Sequence, residues 1–318
     1  MVYDVIVIGA GPAGMAAAVS ACENGAKHVL IIDRNAHLGG ILKQCIHDGF
    51  GLFIFNESLT GPEYAARYAE KLQNRNIKVL LNTIVTKVSP ELEIQCISHS
   101  GASVFQAKSI ILTTGCRERT RGMLELPGTR PAGIYTAGVA QKLINIQNIK
   151  IGNKAVILGS GDVGLIMARR MKLEGMEVIC VLEKLPHISG LLRNVNQCLN
   201  DFDIPIRLNQ TVVDIKGAKR LEGIIAAQVD DNGVVIDGTE YTIDCDTLLL
   251  SVGLIPENEL AKACGIQIGP DGGPIVNDRL ETSVRSIYSA GNSLHVHDLA
   301  DYASEEGLKA GKYAAENL

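Results

Sequence analysis

The chain has 318 residues, 46% hydrophobic and 20% charged, with a formal net charge of −5. That length and balance can fill the cores of two domains or of one large α/β unit. Acidic and basic residues are mixed, without the basic block that nucleic acid or an anionic membrane surface requires, and the eight cysteines are never closer than the 18 residues from Cys180 to Cys198, which excludes CxxC, zinc and iron–sulfur spacings.

The opening MVYDVIVIGAGPAGMAAAV is apolar but has no basic leader and contains Gly and Pro. It reads as a buried strand running into a helix, not as a signal peptide or membrane span. Scattered thiols fit a reducing compartment, so the expected location is cytoplasmic. The segment continues through a glycine stop to a second apolar run ending at Asp33. Next comes GGILKQCIHDGFG (39–51), where Cys45 stands between Lys43 and His47 with no second cysteine at dithiol spacing. The stretch 60–76 predicts an amphipathic helix whose core face carries Tyr64, Tyr68 and Leu72. KVLLNTIVTKV (78–88) and AKSIILTTG (107–115) read as strands, and Arg117, Glu118, Arg119 and Arg121 as a hinge clamp or a solvated linker.

Then the pattern starts again. KAVILGSGDVGLIMARRMKLEGMEVICVLE repeats strand, GxGxxG, helix, glycine stop and strand, ending at Glu183. From first glycine to acid is 24 positions in both copies, Gly9 to Asp33 and Gly159 to Glu183. PIRLNQTVVDI (205–215) echoes 78–88, and CDTLLLSVG (245–253) echoes 107–115. The final segment predicts a strand, a turn and a terminal helix from about Asp298. His295 and His297 have no third ligand spaced beside them, so they read as loop packing and not as a metal site.

One GxGxxG is weak evidence; two, each between strand and helix and each closed by an acid at equal distance, point to two dinucleotide-binding domains. Gly9 and Gly159 permit the tight turn, Gly11 and Gly161 let backbone approach a pyrophosphate, and Gly14 and Gly164 bring helix close to sheet. The helix N-terminus offers unpaired N–H groups to the phosphates, and Asp33 and Glu183 would accept from ribose hydroxyls. A carboxylate at 183 suits a free 2′-hydroxyl and repels a 2′-phosphate, so NAD(H) is expected over NADP(H).

These motifs, with Thr113-Thr114-Gly115, Ser251-Val252-Gly253 and Ser289-Ala290-Gly291-Asn292, resemble the pyridine nucleotide–disulfide oxidoreductase superfamily. The resemblance implies an α/β fold of two Rossmann-like domains, each of three-layer ββα type, in the compact thioredoxin-reductase-like arrangement. A discontinuous FAD domain would cover 1–116 and 248–318, with an NAD(P) domain of 117–247 inserted. For FAD it implies Gly9, Gly11, Pro12, Ala13, Gly14, Asp33, Arg34, Gly39, Gly40, Gln44, Val85, Thr114, Gly115, Gly291, Asn292 and Asp298. Here Asn292 replaces the family's usual Asp, and the helix from Asp298 would point its positive end at the flavin. For NAD it implies Gly159, Gly161, Asp162, Val163, Gly164, Glu183 and Gly253.

The wording of 39–52, 113–138 and 291–302 resembles one subgroup, the FAD- and NAD-linked components that accompany glycerol-3-phosphate dehydrogenase-like, opine oxidase and hydrogen cyanide synthase systems. That implies hydride transfer between nicotinamide and FAD, electron exchange with a partner dehydrogenase subunit, and an oligomer. Two alternatives stand beside it: a stand-alone disulfide, peroxide or oxygen reductase acting through Cys45, and a flavin- or nucleotide-binding regulatory protein without turnover.

Overall fold

In the computed structural model, which describes residues 2–73, 75 and 77–318, the chain divides into two compact units, Met1–Arg117 with Ile255–Leu318, and Glu118–Leu254. In chain order the first contributes β1 (Val2–Ile8), α1 (Pro12–Glu23), β2 (Val29–Ile32), α2 (Gly61–Gln73), β3 (Ile77–Leu80), β4 (Thr83–Val88), β5 (Glu93–Ser98) and β6 (Gly101–Leu112), then the short β7 (Cys116–Glu118). The second contributes β8 (Ile134–Thr136), α3 (Ala137–Asn145), β9 (Lys154–Leu158), α4 (Asp162–Leu173), β10 (Glu177–Leu182), α5 (Leu192–Cys198), β11 (Ile206–Arg207), β12 (Gln210–Lys216), β13 (Gly223–Gln228), β14 (Tyr241–Ile243) and β15 (Thr247–Leu250). After β16 (Leu254–Pro256), which pairs with β7, the chain adds α6 (Glu259–Ala263), β17 (Ile287–Ser289) and α7 (Ala300–Glu316) to the first unit.

The first unit is built on the parallel order β3-β2-β1-β6, with β17 also on β6. β6 serves two layers: Gly101–Gln106 pairs antiparallel with β5, and Gln106–Leu112 pairs parallel with β1. Side-chain alternation in β1 sorts its residues to two cores. Val5 and Val7 pack with Met15, Tyr64, Tyr68 and Ala310 on the helical face, while Ile6 and Ile8 pack with Ile94, Ile110 and Ile266 on the other. The buried row Tyr64, Tyr68 and Leu72 on α2 is the face expected from the sequence. Helices α1 and α7 meet through small residues: a Cβ added at Gly307 would fall on the carbonyl oxygen of Ala13, and one at Gly311 on that of Ala17.

The second unit repeats this plan. Its parallel sheet runs β11-β10-β9-β15-β8, and the antiparallel β12-β13-β14 forms a separate layer. Ala155 and Ile157 of β9 pack with the helices, Val156 and Leu158 with the antiparallel layer. Both units are therefore Rossmann-like, three-layer ββα assemblies. The second crossing lies at Leu254/Ile255, later than the expected 247/248, because β15 pairs with β9 and β8 in the middle of the second sheet. No helix among the described residues is long and apolar enough to cross a membrane.

Candidate functional site

In an open α/β sheet, ligands bind beyond the carboxyl ends of the strands, where the chain leaves neighbouring strands in opposite directions. In the first unit that place is between β1 and β6. Gly9 follows β1 at φ +110°, and an added Cβ would fall on Thr113 O; Thr113 Oγ1 donates to the carbonyls of Ile8 and Gly9, both at 3.0 Å. Gly14 lies so close to Gly9 O that no side chain fits. Gly11 is different: its φ of −73° suits any residue, and an added Cβ would meet no protein atom within 4 Å. Space there, directly before the N-terminus of α1, fits close approach of a pyrophosphate. Pro12 occupies the first helical turn, where its missing N–H costs nothing, and Ala13 packs beneath Gly291 and Gly307.

Asp33 is buried behind this loop. Its Oδ2 accepts from Ala10 N at 2.6 Å and its Oδ1 from Asn35 N at 2.7 Å, so the acid closes the glycine turn. Arg34 is exposed and paired with Glu257 at 3.2 Å. Gly39 and Gly40 take φ of +102° and +53°; Gly39 N donates to Ala10 O, and a Cβ on Gly40 would come to 3.2 Å from Gly11 Cα. Gln44 is buried at the end of the 3-10 turn Gly40–Gln44. Val85 is half-buried in β4, two residues beyond Thr83, whose N–H donates to Asp33 O at 3.0 Å. At the end of β6, Thr114 Oγ1 donates to Glu257 O at 2.7 Å, and Gly115, at φ +76°, has open space where a Cβ would stand.

The second unit matches feature for feature. Gly159 has φ +98° and abuts Ser251 O; Gly164 abuts Ser251; a Cβ on Gly161 would find its nearest neighbour, Ser251 Oγ, at an ordinary 3.5 Å. Buried Glu183 accepts from Ser160 N at 2.8 Å and Ser160 Oγ at 2.5 Å through Oε2, and from Leu185 N at 2.9 Å through Oε1. Asp162 Oδ1 accepts from Leu191 N at 2.8 Å and Asn194 Nδ2 at 2.7 Å, fastening the loop after Glu183 to the start of α4. Val163 is partly exposed beside it, and Gly253, at φ +102°, accepts from Arg119 N at 3.1 Å.

Cys45 closes the 3-10 turn, its Sγ donating to Ile41 O at 3.3 Å and its carbonyl accepting from Gly61 N at 2.9 Å. Burial pushes the thiol up to about 12. The ring of the flanking His47 lies tilted against Phe50, centroids 5.0 Å apart, with Nδ1 at Asp48 O. The downstream loop is fixed by Asp301, a buried residue of the first turn of α7 that accepts from Gly51 N at 3.0 Å and Ile54 N at 3.1 Å.

Near the C-terminus the structure adds three details. Helix α7 begins at Ala300, two residues after Asp298, because Leu299 is extended (φ −125°, ψ 140°). Asn292 spends its side chain within the protein: Oδ1 accepts from His297 N at 3.1 Å and Nδ2 donates to Cys116 Sγ at 3.5 Å. And Glu306, a turn and a half into α7, reaches back to both histidines, supplying the third group that linear spacing lacked. Glu306 and Asp301 could be foreseen only as acids on a helix, since their partners lie 9 to 250 positions away. Asn258 was likewise missed; its buried amide donates to Gly272 O at 2.8 Å and Ser293 O at 2.7 Å.

The chain is 27% identical to mitochondrial dihydrolipoyl dehydrogenase of Caenorhabditis elegans, covering 96% of this chain and 66% of that protein. It is 24% identical to an opine oxidase subunit of Agrobacterium tumefaciens, covering 91% and 61%. It thus spans about three-fifths to two-thirds of these relatives. The crystal structure of T. acidophilum thioredoxin reductase superposes with a TM-score of 0.81 at 25% identity, covering 99% of this chain and 98% of that one. The profile described as pyridine nucleotide-disulphide oxidoreductase matches residues 3–307, and the chain belongs to that family, whose members couple a flavin to a pyridine nucleotide.

Proposed function

We propose that the protein is an FAD-dependent oxidoreductase that passes hydride between NAD(H), held by the second unit, and FAD, held by the first, and exchanges the two electrons with a partner dehydrogenase subunit. The observation that carries this reading is the duplicated cradle: in each unit a GxGxxG turn, a helix N-terminus and a buried acid that closes the turn. The flavin supplies the redox chemistry once bound. The chain's own residues bind and orient: Gly11 and Gly161 admit the two pyrophosphates, while Asp33 and Glu183 offer carboxylate lone pairs to the ribose diols.

Glu183 favours NADH over NADPH, since its buried carboxylate lies where a 2′-phosphate would bring like charge. Lys184 does not offset this; its side chain runs along the Gly233 turn. An electron relay is favoured over a thiol reductase because attack on a disulfide or peroxide requires a thiolate, and burial holds Cys45 protonated at neutral pH. The opine oxidase relatives are by name components of an oxidase, which fits a partner for this chain too.

The test is anaerobic titration of the FAD-loaded protein with NADH. The flavin absorbance should bleach with one equivalent of NADH, more readily than with NADPH, and Cys45→Ser should keep NADH-dependent dye reduction within about twofold. Failure of both NADH and NADPH to bleach the flavin overturns the proposal. Loss of disulfide or peroxide reduction in Cys45→Ser, with dye reduction intact, moves the assignment to a Cys45 reductase.

A further inference from the structure

Outside the two glycine loops, the described residues hold one cluster with metal-ligand chemistry: His295, His297 and Glu306, whose ligand atoms all lie within 4.8 Å of one another. We propose that these three side chains form a binding site for a divalent first-row transition metal of the zinc class.

The spacing carries the argument first. His297 Nε2 is 3.2 Å from Glu306 Oε2, and His295 Nδ1 is 3.6 Å from Glu306 Oε1. Zinc bonds of the usual lengths set tetrahedral ligand atoms about 3.4 Å apart, and each histidine stands near that distance from one oxygen of Glu306. Two imidazoles and one carboxylate form a donor set that zinc, iron, nickel and copper favour over magnesium or calcium.

The surroundings hold the ligands in place. Gly291 N donates to Glu306 Oε2 at 2.5 Å, fixing the carboxylate; Asn292 Oδ1 accepts from His297 N at 3.1 Å, fixing the loop that carries the imidazole. Such outer contacts orient metal ligands and raise affinity. His297 and Glu306 are mostly buried, with side chains 10% and 13% exposed, whereas His295 is 54% exposed and forms the outer wall. The cluster borders a cleft of about 420 Å³ that is also lined by Asp278, Glu305 and Lys309. Three protein ligands leave the fourth position to water from this cleft; Asp278 adds a negative charge to its wall, while Glu305 is paired with Lys309 at 3.0 Å. A bound ion would clasp the 291–297 loop to α7.

The test uses the purified full chain, stripped with chelator and dialysed against Zn²⁺, with bound metal quantified. One Zn²⁺ per chain should bind at micromolar or lower concentration, and Mg²⁺ should not compete. His295→Ala alters an exposed side chain and should leave the metal-free thermal midpoint unchanged while weakening Zn²⁺ binding by more than about tenfold. His295→Ala/His297→Ala should abolish it, and zinc should raise the thermal midpoint of the wild type only. Absence of binding by the wild type, or undiminished stoichiometry in the double variant, overturns the proposal.

Discussion

The three glycines of the first turn do different work, and the difference can be measured. Gly9 (φ +110°) and Gly14 cannot carry a side chain, because Thr113 O and Gly9 O stand where a Cβ would go. Gly11 has φ −73° and open space, so no protein contact requires glycine there. If a pyrophosphate is what the space admits, Gly11→Ala should leave the ligand-free protein as stable as wild type, within about 0.5 kcal/mol, yet lower FAD affinity by roughly 10-fold or more. Urea unfolding of the stripped protein and flavin fluorescence titration separate the two effects; unchanged FAD affinity would remove the first cradle from the nucleotide site. Gly161→Ala should act in parallel on the second unit, raising KM for NADH while FAD content stays constant. Its new methyl would meet Ser251, with Oγ at 3.5 Å and the carbonyl oxygen at 3.8 Å, both ordinary contact distances.

At the scale of elements, the contact between α1 and α7 positions the phosphate-facing helix. Gly307→Ala should raise intrinsic helix propensity by about 1 kcal/mol, but the added methyl collides with the backbone of Ala13, which cannot swing aside as a flexible side chain would. The collision wins: destabilisation of about 1–3 kcal/mol is expected by urea denaturation. By contrast, Glu305→Ala, on the exposed face of the same helix and paired with Lys309, should change stability by less than about 0.5 kcal/mol. Equal effects would mean that this helix pairing is not what seats α1. The sequence makes the helix after each glycine turn plain, since an apolar run leading into GxGxxG is a local signal. It leaves three things hidden. The run TLLLS (247–251) looks like the edge of either domain until pairing with β9 places it centrally. The start of α7 depends on one extended residue, Leu299. And the acids that organise the loops, Asp301 and Glu306, act on partners that only the fold brings close.

The whole chain is one plan used twice, and each copy has its own pair of core layers: Met15, Tyr64 and Tyr288 on one face and Ile94, Ile110 and Ile266 on the other in the first, Met167 and Met171 facing Val212 and Ile224 across β9 in the second. A ligand stabilises only the structure it binds, by about 2.7 kcal/mol at a hundredfold excess over its Kd. If the first unit holds FAD and the second NADH, their stabilising effects should fall on separate unfolding events in the intact chain. Scanning calorimetry of the stripped protein should resolve two transitions, with FAD raising one midpoint and NADH the other. Gly11→Ala should blunt only the FAD-dependent shift and Gly161→Ala only the NADH-dependent one. A single transition that either ligand raises equally, in both variants, would contradict the assignment of one dinucleotide to each unit.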